Sequence, residues 1–351
     1  MEVDLSNKNI ESCKDIRIQN IPKECIRLDL SGNQLTSLEE FPILPKLESL
    51  NLSYNNLSYN NLTSKEEFPI LPKLESLGLS GNQLTSLERL AVLPNLINLD
   101  LSYNKLTSLE RLPVLPKLEE INLINNKLTS LEGFPVLPKL EKIYLWNNEL
   151  TSLEGFPILP NLSYLDLWIN QLTSLEGLPI LPNLEGIYLL NNQLTSLEGL
   201  PVLPNLERIY LENNQLTSLE GLPVLPNLVR INLQSNKLTS LEGFPDLPNL
   251  TFLDLDNNKL GEYYKIDYLE TIKFYHYLLE KLERSYEEEN KETLELMDKS
   301  TKEGKDDINE LIKICGKYDN IRNDLKKVIK EYLECNYEND ILEEYYKKFK
   351  N

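Results

Sequence analysis

The fold is decided by a 22-residue unit, which in residues 206–227 reads LERIYLENNQLTSLEGLPVLPN. Its second Leu-Pro pair recurs at a constant step of 22 residues, at Leu71, Leu93, Leu115, Leu137, Leu159, Leu181, Leu203, Leu225 and Leu247. A fixed period of roughly 20 to 50 residues is typical of repeat architectures, in which each unit buries its apolar face against its neighbours. We therefore predict one stacked array rather than the two or three globular domains that 351 residues would otherwise suggest.

The first eleven positions of the unit follow Leu-x-x-Leu-x-Leu-x-x-Asn-x-Leu. The Leu-x-Leu alternation predicts a short strand with one apolar face, and successive strands should stack in parallel. The Asn side chain is expected to satisfy backbone groups where the chain bends away from the strand. Nineteen of the 20 prolines lie in two columns on the return side, where they remove backbone donors and exclude a long α-helix. The return side is predicted to consist of 3₁₀ turns and extended segments.

These motifs resemble the leucine-rich repeat family over roughly residues 1–260. The 22-residue step is similar to that of the short-repeat subclass, which includes internalins and a regulatory subunit of type-one protein phosphatase. The resemblance implies an α/β-type solenoid, a curved leucine-rich repeat array with parallel strands on its concave face, followed by an α-helical C-terminal module. We divide the chain into an N-terminal cap (1–25), a solenoid of about eleven repeats (26–260) and the helical module (261–351).

The helical module is inferred from a change of spacing. After Pro248 the chain contains no further proline, and apolar residues return at helical intervals, as at Ile308, Leu311 and Cys315. Residues 263–282 are expected to cover the last strand, because a repeat array needs a cap. The module serves either as this cap alone or also as a second partner site.

The outward-facing strand positions vary while the framework does not. Both tryptophans of the chain, Trp146 and Trp168, occupy these positions one repeat apart, with four tyrosines on neighbouring strands. With strands about 4.8 Å apart, the side chains should form one contiguous surface, and clustered Trp, Tyr and Arg are typical of interface hot spots. The predicted partner-binding residues are Lys142, Tyr144, Trp146, Tyr164, Asp166, Trp168, Tyr188, Leu190, Arg208, Tyr210, Glu212 and Arg230. The alternative is an aromatic ladder that was copied with the repeats and packs without binding a partner.

A column of ten glutamates also follows the repeat, at Glu39, Glu66, Glu88, Glu110, Glu132, Glu154, Glu176, Glu198, Glu220 and Glu242. The column is either a cation site or a structural feature. Each Glu lies three residues after a Thr, which is the spacing of a capping box at the start of a helical turn. The spacing favours the structural interpretation.

One repeat departs from the 22-residue step, because residues 53–62 contain Ser-Tyr-Asn-Asn-Leu twice. The second copy lacks the upstream Leu-x-Leu of a strand and is expected to form a surface loop. We interpret the second copy as the result of replication slippage that is tolerated at the surface. The alternative is that it forms a binding loop.

Composition excludes several functions. The formal charge of −19 disfavours binding to nucleic acid or to anionic membranes, and no apolar run is long enough to span a bilayer. His276 is the single histidine, and the sequence contains no phosphate-binding, metal-binding or nucleophile motif, so we predict no enzyme, cofactor or metal. The N-terminus lacks the pattern of a signal peptide and the four cysteines are scattered, which favours an intracellular, cytoplasmic protein with free thiols.

We therefore predict a monomeric, non-catalytic module that binds a protein partner on its concave face. The alternatives are a regulatory subunit of a phosphatase or similar enzyme, and a structural or decoy repeat without a dedicated partner.

Overall fold

The computed structural model describes residues 1–57 and 68–260, except residues 89, 91, 240, 242, 243 and 246. The second copy of the duplication, residues 58–62, and the predicted helical module, residues 261–351, lie outside the described residues, and so does His276. Met1–Asn258 form one compact unit.

Twelve three-residue strands join in chain order into one parallel sheet. The strands are β1 (Glu2–Asp4), β2 (Arg27–Asp29), β3 (Ser49–Asn51), β4 (Ser76–Gly78), β5 (Asn98–Asp100), β6 (Glu120–Asn122), β7 (Lys142–Tyr144), β8 (Tyr164–Asp166), β9 (Gly186–Tyr188), β10 (Arg208–Tyr210), β11 (Arg230–Asn232) and β12 (Phe252–Asp254). One short helix, α1 (Ile16–Gln19), lies between β1 and β2. The solenoid segment 26–260 thus holds eleven strands, and the segment 1–25 adds one strand to the same sheet.

The register of the sheet places equivalent repeat positions side by side. Ile143 of β7 pairs with Leu165 of β8, which pairs with Ile187 of β9. All three side chains have no exposed surface, because the central residue of each strand points into the solenoid. The core is therefore built from columns of Leu and Ile, and each coil buries its apolar face only against the next.

The Asn column satisfies the backbone at the strand ends, as predicted. The Asn126 side-chain amide donates to the carbonyl oxygens of Leu101 and Leu123 (3.0 and 3.1 Å) and its oxygen accepts from the Leu106 N–H (3.0 Å). The equivalent bonds occur around the other Asn side chains of the column, from Asn55 to Asn258. Because these amides join adjacent coils inside the solenoid, the ladder ties each repeat to the one before it.

In the coils that are described in full between residues 98 and 238, the return side consists of two β-turns joined by extended residues. In one coil the Phe156 N–H donates to the Leu153 carbonyl (3.1 Å) with Gly155 at a φ of 80°, and the Leu162 N–H donates to the Leu159 carbonyl (3.2 Å) across Pro160. Within the described residues no 3₁₀ helix occurs, so that part of the prediction is wrong. The positive φ of the glycine is incompatible with 3₁₀ geometry but suits the third position of a type II turn.

The Glu column does not form capping boxes. The Glu110 N–H donates to the Ser108 hydroxyl (3.0 Å), and the Glu88 N–H donates to the Ser86 hydroxyl (3.1 Å), so the acceptor lies two residues upstream rather than at the Thr three residues upstream. A serine hydroxyl at this distance can close a local turn by itself. At Glu39, Glu88, Glu110 and Glu154 the backbone thus takes part in a local turn through a hydrogen bond other than the predicted one.

Candidate functional site

The candidate site lies on the outward face of strands β7 to β10. Tyr144 ends β7, and Trp146 follows two residues later on the same side of the chain, because side chains alternate in extended backbone. The sheet register repeats this arrangement in the following coils. We call the resulting set the aromatic surface, and it consists of Tyr144, Trp146, Tyr164, Trp168, Tyr188 and Tyr210.

The rings of the aromatic surface stack in two rows. Trp146 and Trp168 lie parallel, with ring centroids 4.9 Å apart and 11° between their planes. Tyr144, Tyr164, Tyr188 and Tyr210 form the second row, with centroid distances of 4.9 to 5.3 Å. The Tyr188 and Tyr210 rings are stacked at 11°, whereas the other two neighbouring pairs of the Tyr row are tilted by 38° and 45°.

Gly186 lies beneath the tyrosine row. It is buried at the start of β9, and a Cβ at this position would meet the Tyr188 ring at 3.3 Å. The missing side chain lets the Tyr188 ring lie close to the backbone, stacked on Tyr210 at 11°. The repeat pattern places Gly186 on this face, but Gly186 was not among the predicted partner-binding residues. The available signal was a glycine in a column that carries Lys142, Tyr164, Arg208 and Arg230 in the neighbouring coils.

Two buried carboxylates lie among the aromatic side chains. Asp166 is only 9% exposed, and burial raises the pKa of its carboxyl group. The backbone N–H of Trp168 donates a hydrogen bond to this carboxyl group (3.0 Å), which partly offsets the rise in pKa. Glu212 is equally buried, and burial also raises the pKa of its carboxyl group. Asn232 donates to Glu212 Oε1, whereas Oε2 has no hydrogen-bond partner. The surface therefore holds acidic groups that lack a compensating cation.

Three polar atoms of this face are buried without a partner, namely Trp146 Nε1, Trp168 Nε1 and Glu212 Oε2. Two of them are donors and one is an acceptor. A buried polar group without a hydrogen bond costs about 1–3 kcal/mol, and more when it is charged. The three atoms thus form a local concentration of unsatisfied polar groups within a few adjacent coils.

The basic residues predicted for the site lie along one edge and are already engaged. Lys142 Nζ lies 3.6 Å from a Glu120 oxygen, and an Arg208 nitrogen lies 3.1 Å from a Glu207 oxygen. The Arg230 guanidinium lies 4.2 Å above the centre of the Phe252 ring. Sequence reasoning had included none of these three partners in the site. The cations are therefore arranged as a rim beside the aromatic rows.

Three tyrosine hydroxyls of the site, those of Tyr144, Tyr164 and Tyr188, remain protonated at neutral pH. Burial raises the pKa of Tyr144, Tyr164 and Tyr188, and nearby carboxylates act in the same direction, among them Asp166. Each hydroxyl can consequently donate as well as accept a hydrogen bond. Leu190, the remaining predicted residue, is half-buried in the same column as the tryptophans.

No other chemistry-bearing cluster stands out in the described part of the chain. Cys13 and Cys25 are buried and free, and burial raises the pKa of the Cys13 thiol to about 12, which leaves it unreactive. Among the described residues, no group of His, Cys, Asp and Glu side chains could hold a metal ion. In the same residues, no helix has the length and apolar character needed to cross a bilayer.

Parallel three-residue strands, leucine columns and a buried Asn ladder define a leucine-rich repeat solenoid. Residues 23–58, 94–136, 138–180 and 182–224 match the family model described as "Leucine Rich repeats (2 copies)", and residues 204–260 match the model "Leucine rich repeat". The chain belongs to the leucine-rich repeat family. A search of curated proteins gave no match.

Several solved structures are similar to this chain. YopM from Yersinia pestis, described as a leucine-rich effector protein, is 34% identical, with a TM-score of 0.54 over 74% of this chain and 67% of YopM. YopM from Yersinia enterocolitica is 28% identical, with a TM-score of 0.55 over 69% of this chain. The matched region covers 48% of that YopM, about half its length. An internalin, InlF from Listeria monocytogenes, shares the fold at 23% identity, with a TM-score of 0.61 over 74% of this chain and 75% of the internalin.

Proposed function

We propose that this chain is a non-catalytic binding protein whose aromatic surface holds a protein partner. Leucine-rich repeat solenoids generally serve as protein-interaction modules, and the fold displays variable side chains on a rigid sheet. The observation that carries the proposal is the coincidence of the stacked Trp pair with three unpaired polar atoms in neighbouring coils. A partner that reaches these atoms after small side-chain shifts regains hydrogen bonds that the free chain lacks.

The charge distribution indicates what the partner presents. The cations Lys142, Arg208 and Arg230 are engaged with neighbouring side chains, whereas neither Asp166 nor Glu212 forms a salt bridge with any Lys or Arg of the described residues. The partner surface should therefore combine apolar side chains with hydrogen-bond donors or basic groups. The comparisons give no evidence for a phosphatase partner, and no geometric feature favours the phosphatase alternative.

The first test is the substitution Trp168→Ala. Truncating a hot-spot residue typically costs at least about 2 kcal/mol, so the affinity for the partner should fall roughly 30-fold. Proteins captured by the parent chain but not by a Trp146→Ala, Trp168→Ala variant would be identified, and their dissociation constants measured by titration. Ser53→Ala, on the polar part of the same sheet face, should leave the affinity unchanged.

Stability must be measured in parallel, because Trp168 stacks on Trp146. Loss of the pair should cost about 0.5–1.5 kcal/mol beyond the lost burial, which lowers the melting temperature without unfolding the chain at 25 °C. Equal affinities of the Trp168→Ala and Ser53→Ala variants for the captured partner would reject the aromatic surface as the binding site.

A further inference from the structure

A second surface lies on the return side of the coils and has no role in the function proposed above. One β-branched aliphatic side chain per coil projects outward between the two turns, at Ile43, Ile70 and then at every 22nd residue from Val92 to Val224. These nine side chains are 54% to 85% exposed. We call them the aliphatic ridge.

The ridge is continuous along the solenoid. Since the strands pair in register, equivalent residues of adjacent coils are neighbours, and single exposed side chains add up to one stripe. Monomeric proteins rarely expose contiguous apolar patches larger than a few hundred Å². The position changes between Ile and Val but stays aliphatic in nine consecutive units, and the sequence has Asp246 there in the following unit, where the stripe ends.

The two flanks of the ridge differ in charge. Four residues before each ridge residue lies a member of the Glu column, and Glu132, Glu154, Glu176 and Glu198 are all exposed. No Lys or Arg of the described residues forms a salt bridge with these four carboxylates. The other flank carries Lys46, Lys73, Lys117 and Lys139 in four of the earlier coils and Asn in all the later ones, where the Asn183 side chain donates to the Pro160 carbonyl (2.8 Å). From Ile158 to Val224 the ridge is thus flanked by the Glu column on one side and by neutral Asn residues on the other.

We propose that the aliphatic ridge docks an amphipathic α-helix of a partner protein, with lysines or arginines beside its apolar stripe. An α-helix advances about 5.4 Å per turn, close to the spacing of about 4.8 Å between adjacent strands. One apolar residue per helical turn therefore meets one ridge residue per coil, and one basic residue per turn meets one Glu. The Glu column repels anionic lipid headgroups, and a second copy of this chain brings its own charge of −19.

The test uses synthetic helical peptides of about 20 residues, long enough to form helix in water. One peptide carries Leu at positions i, i+3, i+4 and i+7 with Lys elsewhere, and its counterpart carries Glu in place of Lys. Affinity is measured by fluorescence anisotropy for the full chain and for three variants. The ridge variant combines Ile158→Asn, Ile180→Asn and Val202→Asn, the charge variant combines Glu154→Gln, Glu176→Gln and Glu198→Gln, and Trp168→Ala serves as the control.

The basic peptide should bind the parent chain, and the Glu peptide should not. The ridge variant should bind the basic peptide at least about tenfold more weakly, because it loses three apolar contacts. The charge variant should bind it more weakly and with less dependence on salt, whereas Trp168→Ala should leave binding unchanged. The side chains substituted in the ridge and charge variants are all exposed, so thermal melting of these two variants should show an intact fold.

Four outcomes would overturn the inference. These are unchanged binding by the ridge variant, loss of peptide binding in Trp168→Ala, ridge-dependent binding of phosphatidylserine vesicles, and a ridge-dependent dimer in sedimentation. The second outcome would assign the peptide to the aromatic surface and leave the function proposed above standing. A failure of that proposed function would leave the ridge result unaffected, because the ridge and charge variants substitute no residue of the aromatic surface.

Discussion

Ile169 has a backbone conformation that does not suit its side chain. Its φ is 51°, in the left-handed region, whereas the equivalent residues of neighbouring coils are Asn125, Asn147, Asn191 and Asn213 at φ values of 52° to 55°. Asn tolerates this region, but a β-branched side chain there is a rare outlier. Left-handed geometry costs an ordinary residue about 1–2 kcal/mol. Ile169 directly follows Trp168, so strain lies beside the candidate site, where such outliers often occur.

We predict that Ile169→Asn stabilises the chain by about 1 kcal/mol, because it removes this strain. The reciprocal change, Asn191→Ile, places a β-branched residue at the same position of the next coil and should destabilise by a similar amount. Urea unfolding of both variants and the parent measures the two differences. A loss of stability in Ile169→Asn would show that contacts of the Ile side chain outweigh its backbone strain.

At the scale of the structural element, the packing of a coil against its neighbour is set in part by the turn that follows its Glu. Gly177 has a φ of 88°, and a Cβ at this position would lie 2.6 Å from the Glu154 backbone nitrogen of the preceding coil. Both the turn and the close approach of two coils therefore require the absence of a side chain. Arg111 occupies the same position in an earlier coil, so this requirement does not extend to every repeat.

Gly177→Ala should accordingly cost more than the roughly 1–2 kcal/mol of the backbone conformation alone, since the neighbouring coil must also shift. Arg111→Ala is the matched control, because Arg111 has only an exposed contact with Glu88 at 3.8 Å. Its effect should stay within about 0.5 kcal/mol. Chemical denaturation measures both variants, and equal small effects would mean that the turn relaxes without disturbing its neighbour.

For the whole molecule, the two ends of the sheet differ. The first strand, β1, presents Glu2 and Asp4, and charged residues on a short edge strand hinder pairing with another chain. At the other end, Leu253 of β12 is only half-buried, although the equivalent Ile231 of β11 has no exposed surface. The last strand is therefore the more vulnerable edge. From the sequence we predicted that residues 263–282 cover it.

Truncation after Gly261 should lower the unfolding free energy and promote self-association, because it would leave the β12 edge and Leu253 without that cover. Thermal melting and sedimentation of the truncated and full-length chains provide the measurement. As a control, Leu253→Ala in the full chain should be destabilising without causing association. A truncated chain as stable and monomeric as the parent would contradict the assignment of a cap.

The repeat period, the burial of the Leu columns and the role of the Asn column could all be predicted from the sequence. In a solenoid, residues that are neighbours in space are one repeat apart in sequence, so a periodic pattern specifies contacts such as Leu165 with Ile187. The position of Trp146 beside Trp168 follows from the same rule. The type of the return-side turns could not be read in this way, because it depends on the backbone angle of residues such as Gly155 rather than on apolar spacing.

What the sequence by itself determined is therefore the order, register and core of the coils, since these follow from one translation repeated along the chain. The tertiary structure alone decided what fraction of each side chain outside the core is exposed to solvent. Glu212 is buried with one oxygen unpaired, and Asp166 is equally buried, whereas Ile158 is 66% exposed although it is as apolar as the core. The exposed fraction of a side chain depends on neighbours from several coils at once, and the sequence of a single repeat unit does not specify those neighbours.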